Sequence, residues 1–548
     1  MGMTLGRVVM GALLVLIVGV PVLLRLASGG ESTARASSGG ERLIIRTPHN
    51  EQIRHEFTAG FNRWRAEQGL APITIDWRTG GTSDLRKQTL AEYGALAARD
   101  ALDEGVGIDL FFGGGDYDHG KLASGVMVGE SRQPVSEVPR IDPALLAEAF
   151  PSETIGGEPL VHPEGLWIGT ALSSFGIVYN RDVVEMLGAT EPADWTDLAD
   201  PRLAGWVALA DPSHSGSIAQ TYNVILRRLG WERGWEVLRE SFANARYFAA
   251  SSSKVPVDAS AGEAAAGMCI DFYGRYQAGA IGGDRVGYAD PSAPVASGER
   301  VSTTVTTADP MSLLRGAPHR ELAEQFIAWV ISPEAQNLWQ RKLGEEGGPT
   351  RFELRRQPVR ADLFTPENRA TWTDPEIDPF GVAAAVPDGT PNYFGVVATL
   401  TQAMGIDVHD DLKAAWLRLR DGDWSEAEYA EAYGLLHAMP AELSIDWPTG
   451  LDQKWTLVLA DPSHPRRGEV VETLDAFMGS IFDRWGTSQG RINDRLAWTL
   501  FFRENYRAVA SGDIDRVMRR SEAIRASGAT LGGAPVAGPG EAATASAG

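Results

Sequence analysis

Residues 42–64 read RLIIRTPHNEQIRHEFTAGFNRW, and the fold is decided in this stretch. RLIIRT is a β-branched run that ends at Pro48, whose ring removes a ladder donor. Ile53, Phe57, Phe61 and Trp64 then recur at helical spacing. Strand, loop and helix follow one another within twenty-three residues, the opening of a βα unit.

The same grammar repeats outward. ITIDW (Ile73–Trp77) gives way to RTGGTSD and then LRKQTLAEY, and IDLFF (Ile108–Phe112) runs into GGGDYDHGKLAS. WVALADPSHSGS from Trp206, ANARYFAASSSK from Ala243 and GMCIDFYGRYQA from Gly267 continue it. Strands alternating with helices predict a parallel sheet covered on both faces, with ligands at the loops beyond the strands' carboxyl ends. LWIGTALSSFGIVYN (Leu166–Asn180) reads as paired strands crossing between lobes, and Ser332 followed by Pro333 predicts a helix start by N-cap and first-position proline. The hexapeptide LADPSH occurs at 209–214 and again at 459–464, read as two strands ending in similar Asp-Pro turns.

With 50 Lys and Arg against 72 Asp and Glu, the net charge of −22 sets long-range repulsion against nucleic acid. A single cysteine, Cys269, excludes an intrachain disulfide and any Cys-based zinc centre, and reads as a small buried apolar residue. Val8–Leu24 is uncharged and about long enough to cross a bilayer. Residues 1–26 are therefore expected to be an uncleaved membrane anchor, a cleaved signal segment being the alternative. Residues 27–41 form a Gly/Ser linker, and 528–548 a Gly/Ala/Pro-rich disordered tail. Residues 361–527 carry amphipathic helical patterns such as DLKAAWLRL.

Candidate chemistry lies in the turns. TGGTS, with Thr82 and Ser83, and SHSGS, with Ser215 and Ser217, both enter helices, where free backbone N–H groups and hydroxyls can seat a carboxylate or phosphate. Plain N-capping by the same residues is the competing reading. Asp116, Asp118 and His119 would be the metal-binding cluster of a hydrolase, although their spacing matches no standard ligand set. Tyr273 and Tyr276 share a face if their stretch is helical, with Asp271 beside them.

LIIRTPHNE, GGTSD, DLFFGGG, GTALSSFGIVYN, ADPSHSGS, GEAAAGMCIDFYGRY and DPMSLLRGAPHRELAEQFIAWVISPEAQ occur in an order that resembles the iron(III)-type extracellular solute-binding proteins. These are type II periplasmic binding proteins that feed ABC importers. The resemblance implies an α/β fold of two lobes, 42–165 plus 300–360 and 166–299, on the extracytoplasmic side of the membrane and served by an ABC permease. It places His49 where ferric-binding members have a first-loop histidine and matches Tyr273 to one of their two tyrosines. Phe272 and Gly274 flank Tyr273, so the second phenolate is missing unless Tyr276 supplies it. The implied ligand is a small anionic solute (a sugar phosphate, phosphonate or carboxylate) or ferric iron. It would be held by His49, Thr82, Ser83, Ser174, Ser215, Ser217, Asp271 and Tyr273, with His49 and Tyr273 as metal ligands if it is iron and with no separate cofactor. A membrane-anchored sensor built on the same clamp is the other reading of the helical extension.

Overall fold

The computed structural model describes residues 41–294, 299–382, 385–451 and 455–533. The expected anchor, most of the linker and the tail beyond 533 lie outside the described residues. Among the described residues no helix is long and apolar enough to cross a membrane.

Two sheets form two lobes. The first runs β2 (Thr74–Thr79), β1 (Arg42–Thr47), β3 (Leu110–Phe112), β13 (Thr307–Leu314), β4 (Ser136–Glu137), with β5 (Ile168–Ser173) also on β13. The second runs β8 (Ala245–Ala249), β7 (Val207–Ala210), β9 (Ala266–Ile270), β6 (Phe175–Asn180), β10 (Val286–Ala289). A small hairpin, β11 (Ser292–Pro294) with β12 (Arg300–Ser302), precedes β13.

The strands of the βα units are parallel, as expected, but neither sheet is parallel throughout. β13 runs antiparallel to β3, β4 and β5, and β6 runs antiparallel to β9 and β10. The cause is topological. A βα strand runs toward the cleft, whereas β6 and β13 enter their lobes from the cleft side after the chain has crossed over, and so run the other way. The expected lobe boundary at 166 also moves, because β5 pairs with β13 of the first sheet. The first crossing falls at Ser174, the second between β12 and β13. All twelve residues of β5 and β6 are buried.

Helices follow the cleft-directed strands: α1 (Glu51–Glu67), α2 (Thr82–Ala97), α3 (Asp116–Ser124), α4 (Gly216–Leu229), α5 (Trp231–Ala243), α6 (Lys254–Ser260) and α7 (Asp271–Ile281), and then α8 (Arg320–Val330). Ile53, Phe57 and Phe61 of α1 are buried in the first lobe's core, which takes in Phe326 and Trp329 of α8. Ser332 caps as predicted, its Oγ accepting from Ala335 N at 3.3 Å. Cys269 is buried and free.

The extension is not one unit. Residues up to Phe380 pack on the first lobe, where Trp372 is fully buried and Asp374 pairs with Arg355. From Val386 onward the chain joins the core of the second lobe. There α9 (Phe394–Thr401) packs on α4 and α10 (His409–Asp421) on α5, while α11 (Glu426–Leu436), α13 (Ser488–Ser511) and α14 (Ile514–Ala526) pack on α10 and one another and α12 (Arg467–Arg484) meets Trp231 of α5 through Phe477. Arg239 of α5 is buried, donating to the Leu436 and Ala438 carbonyls, and Trp231 Nε1 donates to Leu443 O. The tail does not begin at 528: Thr530 bridges Met439, and Gly532 N donates to Gly434 O.

The repeated hexapeptide behaves differently in its two halves. DPSH makes the same turn twice, with the Ser213 and Ser463 amides donating to Asp211 and Asp461. The preceding residues are strand β7 in the first copy but helix, Trp455–Ala460, in the second. Asx chemistry is local, whereas Leu-Ala takes the form its packing imposes.

His119 of α3 is fully buried, with Nδ1 2.7 Å from Ser312 Oγ and Nε2 3.2 Å from the Gly113 carbonyl. Burial lowers its pKa from 6.5 to about 4. The unfolded chain therefore binds more protons between those values, and stability from this residue falls as pH falls through that window, by about 3 kcal/mol. Urea unfolding should show the stability gap between the wild type and His119→Asn shrinking by about that amount from pH 7 to pH 4. Taking the difference cancels the opposite contributions of Asp116 and Asp271, whose carboxyls burial raises to about 6. A gap independent of pH would contradict a neutral, buried His119.

Candidate functional site

A cleft of about 460 Å³ lies between the lobes. The N-cap residues of six helices line it: Asn50, Gly81, Gly115, Ser215, Ser253 and Ile270. Only Asn50 and Ser215 spend a side chain on their own helix, accepting from Ile53 N and Ile218 N. The other four have no side-chain cap from the N-cap residue, although in α7 the Phe272 amide donates to Asp271 and in α6 the Lys254 and Val255 amides donate to the Ser251 and Ser252 carbonyls. The capping reading therefore holds for Ser215 and fails for Thr82 and Ser83, which stand inside α2.

The cleft's wall toward the first lobe carries an ionic triad. Asp309 accepts from the buried Arg356 guanidinium and lies 2.8 Å from His49 Nε2. Its other oxygen accepts from Gly114 N at 2.7 Å, fixing the GGG loop. Register shifts at Asp309/Pro310 in β13, and this irregularity accommodates a proline inside a sheet and turns Asp309 into the cleft. Arg356 also donates to Ser173 Oγ at 2.7 Å, and its guanidinium lies 4.6 Å from the Phe272 ring centroid. Burial alone would raise the Asp309 carboxyl, but Arg356 and His49 outweigh it and hold it well below the usual carboxylate range. Burial lowers His49 despite Asp309, keeping the imidazole neutral. With Nε2–H donated to Asp309, His49 Nδ1 is a buried acceptor without a partner among the described residues.

Across the cleft the second lobe contributes hydroxyls. Ser215 Oγ is 3.1 Å from Ser217 Oγ, which donates to Ser252 Oγ at 3.3 Å, and Ser251 and Ser253 pair at 2.8 Å. The lobes touch. Lys87 Nζ donates to Ser213 O at 3.1 Å, Arg227 pairs with Glu158 at 2.7 Å, and the Tyr117 ring stacks on Phe394 at 4.1 Å. Gly81 allows the closest approach: a Cβ there would lie 2.7 Å from the His214 carbonyl oxygen.

Of the residues expected from sequence, His49, Thr82, Ser215, Ser217 and Tyr273 line this cleft together. Ser83 is buried in α2 and does not line it. Ser174 and Asp271 line a different cavity, on the other face of the crossing strands. Arg356, Asp309, Ser173 and the Ser251–Ser253 loop were not singled out from the sequence.

Of the two tyrosines three residues apart, Tyr273 lines this cleft and Tyr276 does not. Burial pushes the Tyr273 phenol up to about 12. Arg356 and the Asp309 carboxylate that pairs with it line the same cleft as Tyr273, and Tyr276 lines a separate depression with Gln277 and Glu353. The hydrolase cluster does not form. Asp118 is held by Arg86 at 2.7 Å and His119 by Ser312, and among the described residues no group of three His, Cys, Asp or Glu stands together as a metal site.

Residues 141–374 match the family model described as bacterial extracellular solute-binding protein. Over 171 residues, 31% of this chain, the sequence is 25% identical to the phosphoglycerate transport regulatory protein PgtC of Salmonella typhimurium. The aligned part spans 40% of that protein's length. Among solved structures, the periplasmic binding protein AfuA of Actinobacillus pleuropneumoniae, with fructose-6-phosphate bound, is 17% identical, covering 69% of this chain and 98% of that one at a TM-score of 0.47. Iron-bound HitA of Pseudomonas aeruginosa is also 17% identical, covering 68% and 99% at 0.44. The matched stretch contains the second sheet, both crossings, Asp309 and Arg356, and over it the chain is similar to bacterial extracellular solute-binding proteins.

Proposed function

We propose that this chain is the extracytoplasmic solute-binding component of an ABC importer, closing its lobes over a small phosphorylated or carboxylated solute. The observation that carries this reading is the convergence of six helix N-caps on one cleft, four of them without a side-chain cap. Backbone N–H groups at helix starts, with the Ser215, Ser217 and Ser252 hydroxyls, bind an anion in a protein whose net charge is negative. Arg356, its charge balanced by Asp309, adds a guanidinium to the same wall. His49 Nδ1 accepts from a ligand hydroxyl, and Tyr273 borders the same face. The solute therefore has an anionic end and a hydroxylated body, as phosphoglycerate does. The N-terminal apolar segment tethers the clamp near its permease.

Isothermal titration with 3-phosphoglycerate, fructose 6-phosphate, citrate and ferric citrate tests this. At least one phosphorylated or carboxylated solute should bind, glycerol should not, and ferric ion should not exceed its citrate control. For the bound solute, Ser215→Ala combined with Ser217→Ala should weaken affinity by about 1–3 kcal/mol, the scale of hydrogen bonds to a charged group. Failure of every anion, or stoichiometric ferric binding, would overturn the proposal.

A further inference from the structure

Anion capture employs Tyr273 but leaves Tyr276 without a role. α7 carries the two rings three residues apart, and both line a depression of about 180 Å³. Asn50, Ser253 and Tyr273 line the depression and the cleft alike, whereas Gly81, Gly115, Ser215 and Ser217 line the cleft alone. The depression therefore adjoins the cleft at the end away from Ser215 and Ser217. It too lies between the lobes. Asn50, Gln52 and Ile53 belong to the first lobe, and Ser253, Val257 and Tyr276 to the second, so the gap between the lobes continues from one cavity into the other.

The chemistry of the two ends differs. The cleft offers helix starts, serine hydroxyls and the Arg356 guanidinium, whereas the depression is lined by apolar side chains. Ile53, Phe272 and Leu354 are buried, and Val257 is 49% exposed. Covering Val257 and the half-buried Tyr276 ring would take apolar surface out of water. Glu353 is the one charged residue lining the depression among the described residues, and it disfavours a second anionic group there. The Gln52 and Gln277 amides supply donors and acceptors for the polar edge of a ring. A cavity of about 150 Å³ lined by Leu, Ile and Phe admits benzene, so the depression has room for one six-membered ring.

We propose that the captured solute is a phosphorylated sugar with a third part, a flat uncharged ring that seats in this depression. The proposal rests on the anion-binding reading, since a phosphate held at the Ser215 end of the cleft directs the far end of the sugar toward Tyr273 and the depression beyond. Closure then clamps both ends of the solute at once. Ser215 and Ser217 approach Gly81 and Gly115 at one end, and Val257 and Tyr276 approach Gln52 and Ile53 at the other.

The test is a calorimetric titration of the full chain with two pairs of compounds that differ by the ring: ribose 5-phosphate against uridine 5′-monophosphate, and glucose 6-phosphate against phenyl β-D-glucoside 6-phosphate. In at least one pair the ring-bearing member should bind tighter by about tenfold or more, as apolar burial of a ring implies. Val257→Trp fills the depression from an exposed position, and Tyr276→Ala removes one of its rings. Each should abolish most of that advantage while the ring-less member binds as it does to the wild type. Equal affinity within both pairs, or an undiminished advantage in either variant, would overturn the ring and leave the anion reading intact. Binding by none of the four compounds would also overturn this proposal, and would take the anion reading with it only if 3-phosphoglycerate, fructose 6-phosphate and citrate fail as well.

Discussion

Arg356→Met is expected to lower stability by about 3–5 kcal/mol at pH 7, because it leaves Asp309 buried without its counter-charge. The same substitution should abolish binding of the anionic solute, since Arg356 lines the cleft and orders both Asp309 and Ser173. The two effects separate by pH and by a second substitution. Asp309 is depressed in the wild type, so its contribution is present above its unfolded pKa and is lost only as pH falls through the native value. Without Arg356, burial dominates and lifts that carboxyl, so the variant's deficit should shrink as the pH falls below neutrality. Asp309→Asn in the Arg356→Met background removes the orphaned charge and should recover a large part of the stability but none of the binding. A pH-independent deficit, or recovered affinity in the double variant, would show that the triad is not the charged element it is taken to be.

The second large effect concerns the residues after 385. Trp231, Trp235, Leu238 and Phe242 of α5 are each at most 1% exposed and share one core with helices α9 to α14. Arg239 is buried between the Leu436 and Ala438 carbonyls and the Phe502 ring, 5.1 Å away. Each large apolar side chain returned to water costs about 1.5–3 kcal/mol, and four of them reach the whole stability of an ordinary domain. Residues 41–382 expressed alone should therefore aggregate or bind a hydrophobic dye, while 41–533 is soluble and folded. A soluble, monomeric 41–382 with native affinity would mean that the extension is an accessory rather than a wall of the second lobe.

Local chemistry made the βα units legible. β-branched runs, Gly-rich turns and helical apolar spacing placed β1 with α1, β7 with α4 and β9 with α7, and Ser332-Pro333 marked a helix start. Long-range pairing was not legible. β5 belongs to the first sheet because it pairs with β13 more than a hundred residues later, and nothing within LWIGTALSSFG says so. Facing failed by a single residue: Ser174 was read as a cleft residue, but in an extended crossing strand its neighbour Ser173 faces the cleft. Asp309 carried a faint signal, a proline inside a Thr/Val strand, which marks a bulge more often than a plain ladder. Arg356 carried none, lying in irregular chain with no period to read. The missing second tyrosine was legible, and the cleft that Tyr273 lines also holds the buried guanidinium of Arg356.

The central claim is a clamp that closes over an anion, and small-angle scattering of residues 41–533 tests it most directly, with and without the tightest-binding solute. Hinge closure draws the lobes together, so the radius of gyration should fall on adding the anion and stay constant with glycerol. In Gly81→Val, whose side chain would meet the His214 carbonyl only when the lobes are shut, the unliganded radius should match the wild type and the fall should be lost. Tight binding with no change in radius, or equal compaction in Gly81→Val, would contradict closure as the mechanism of capture.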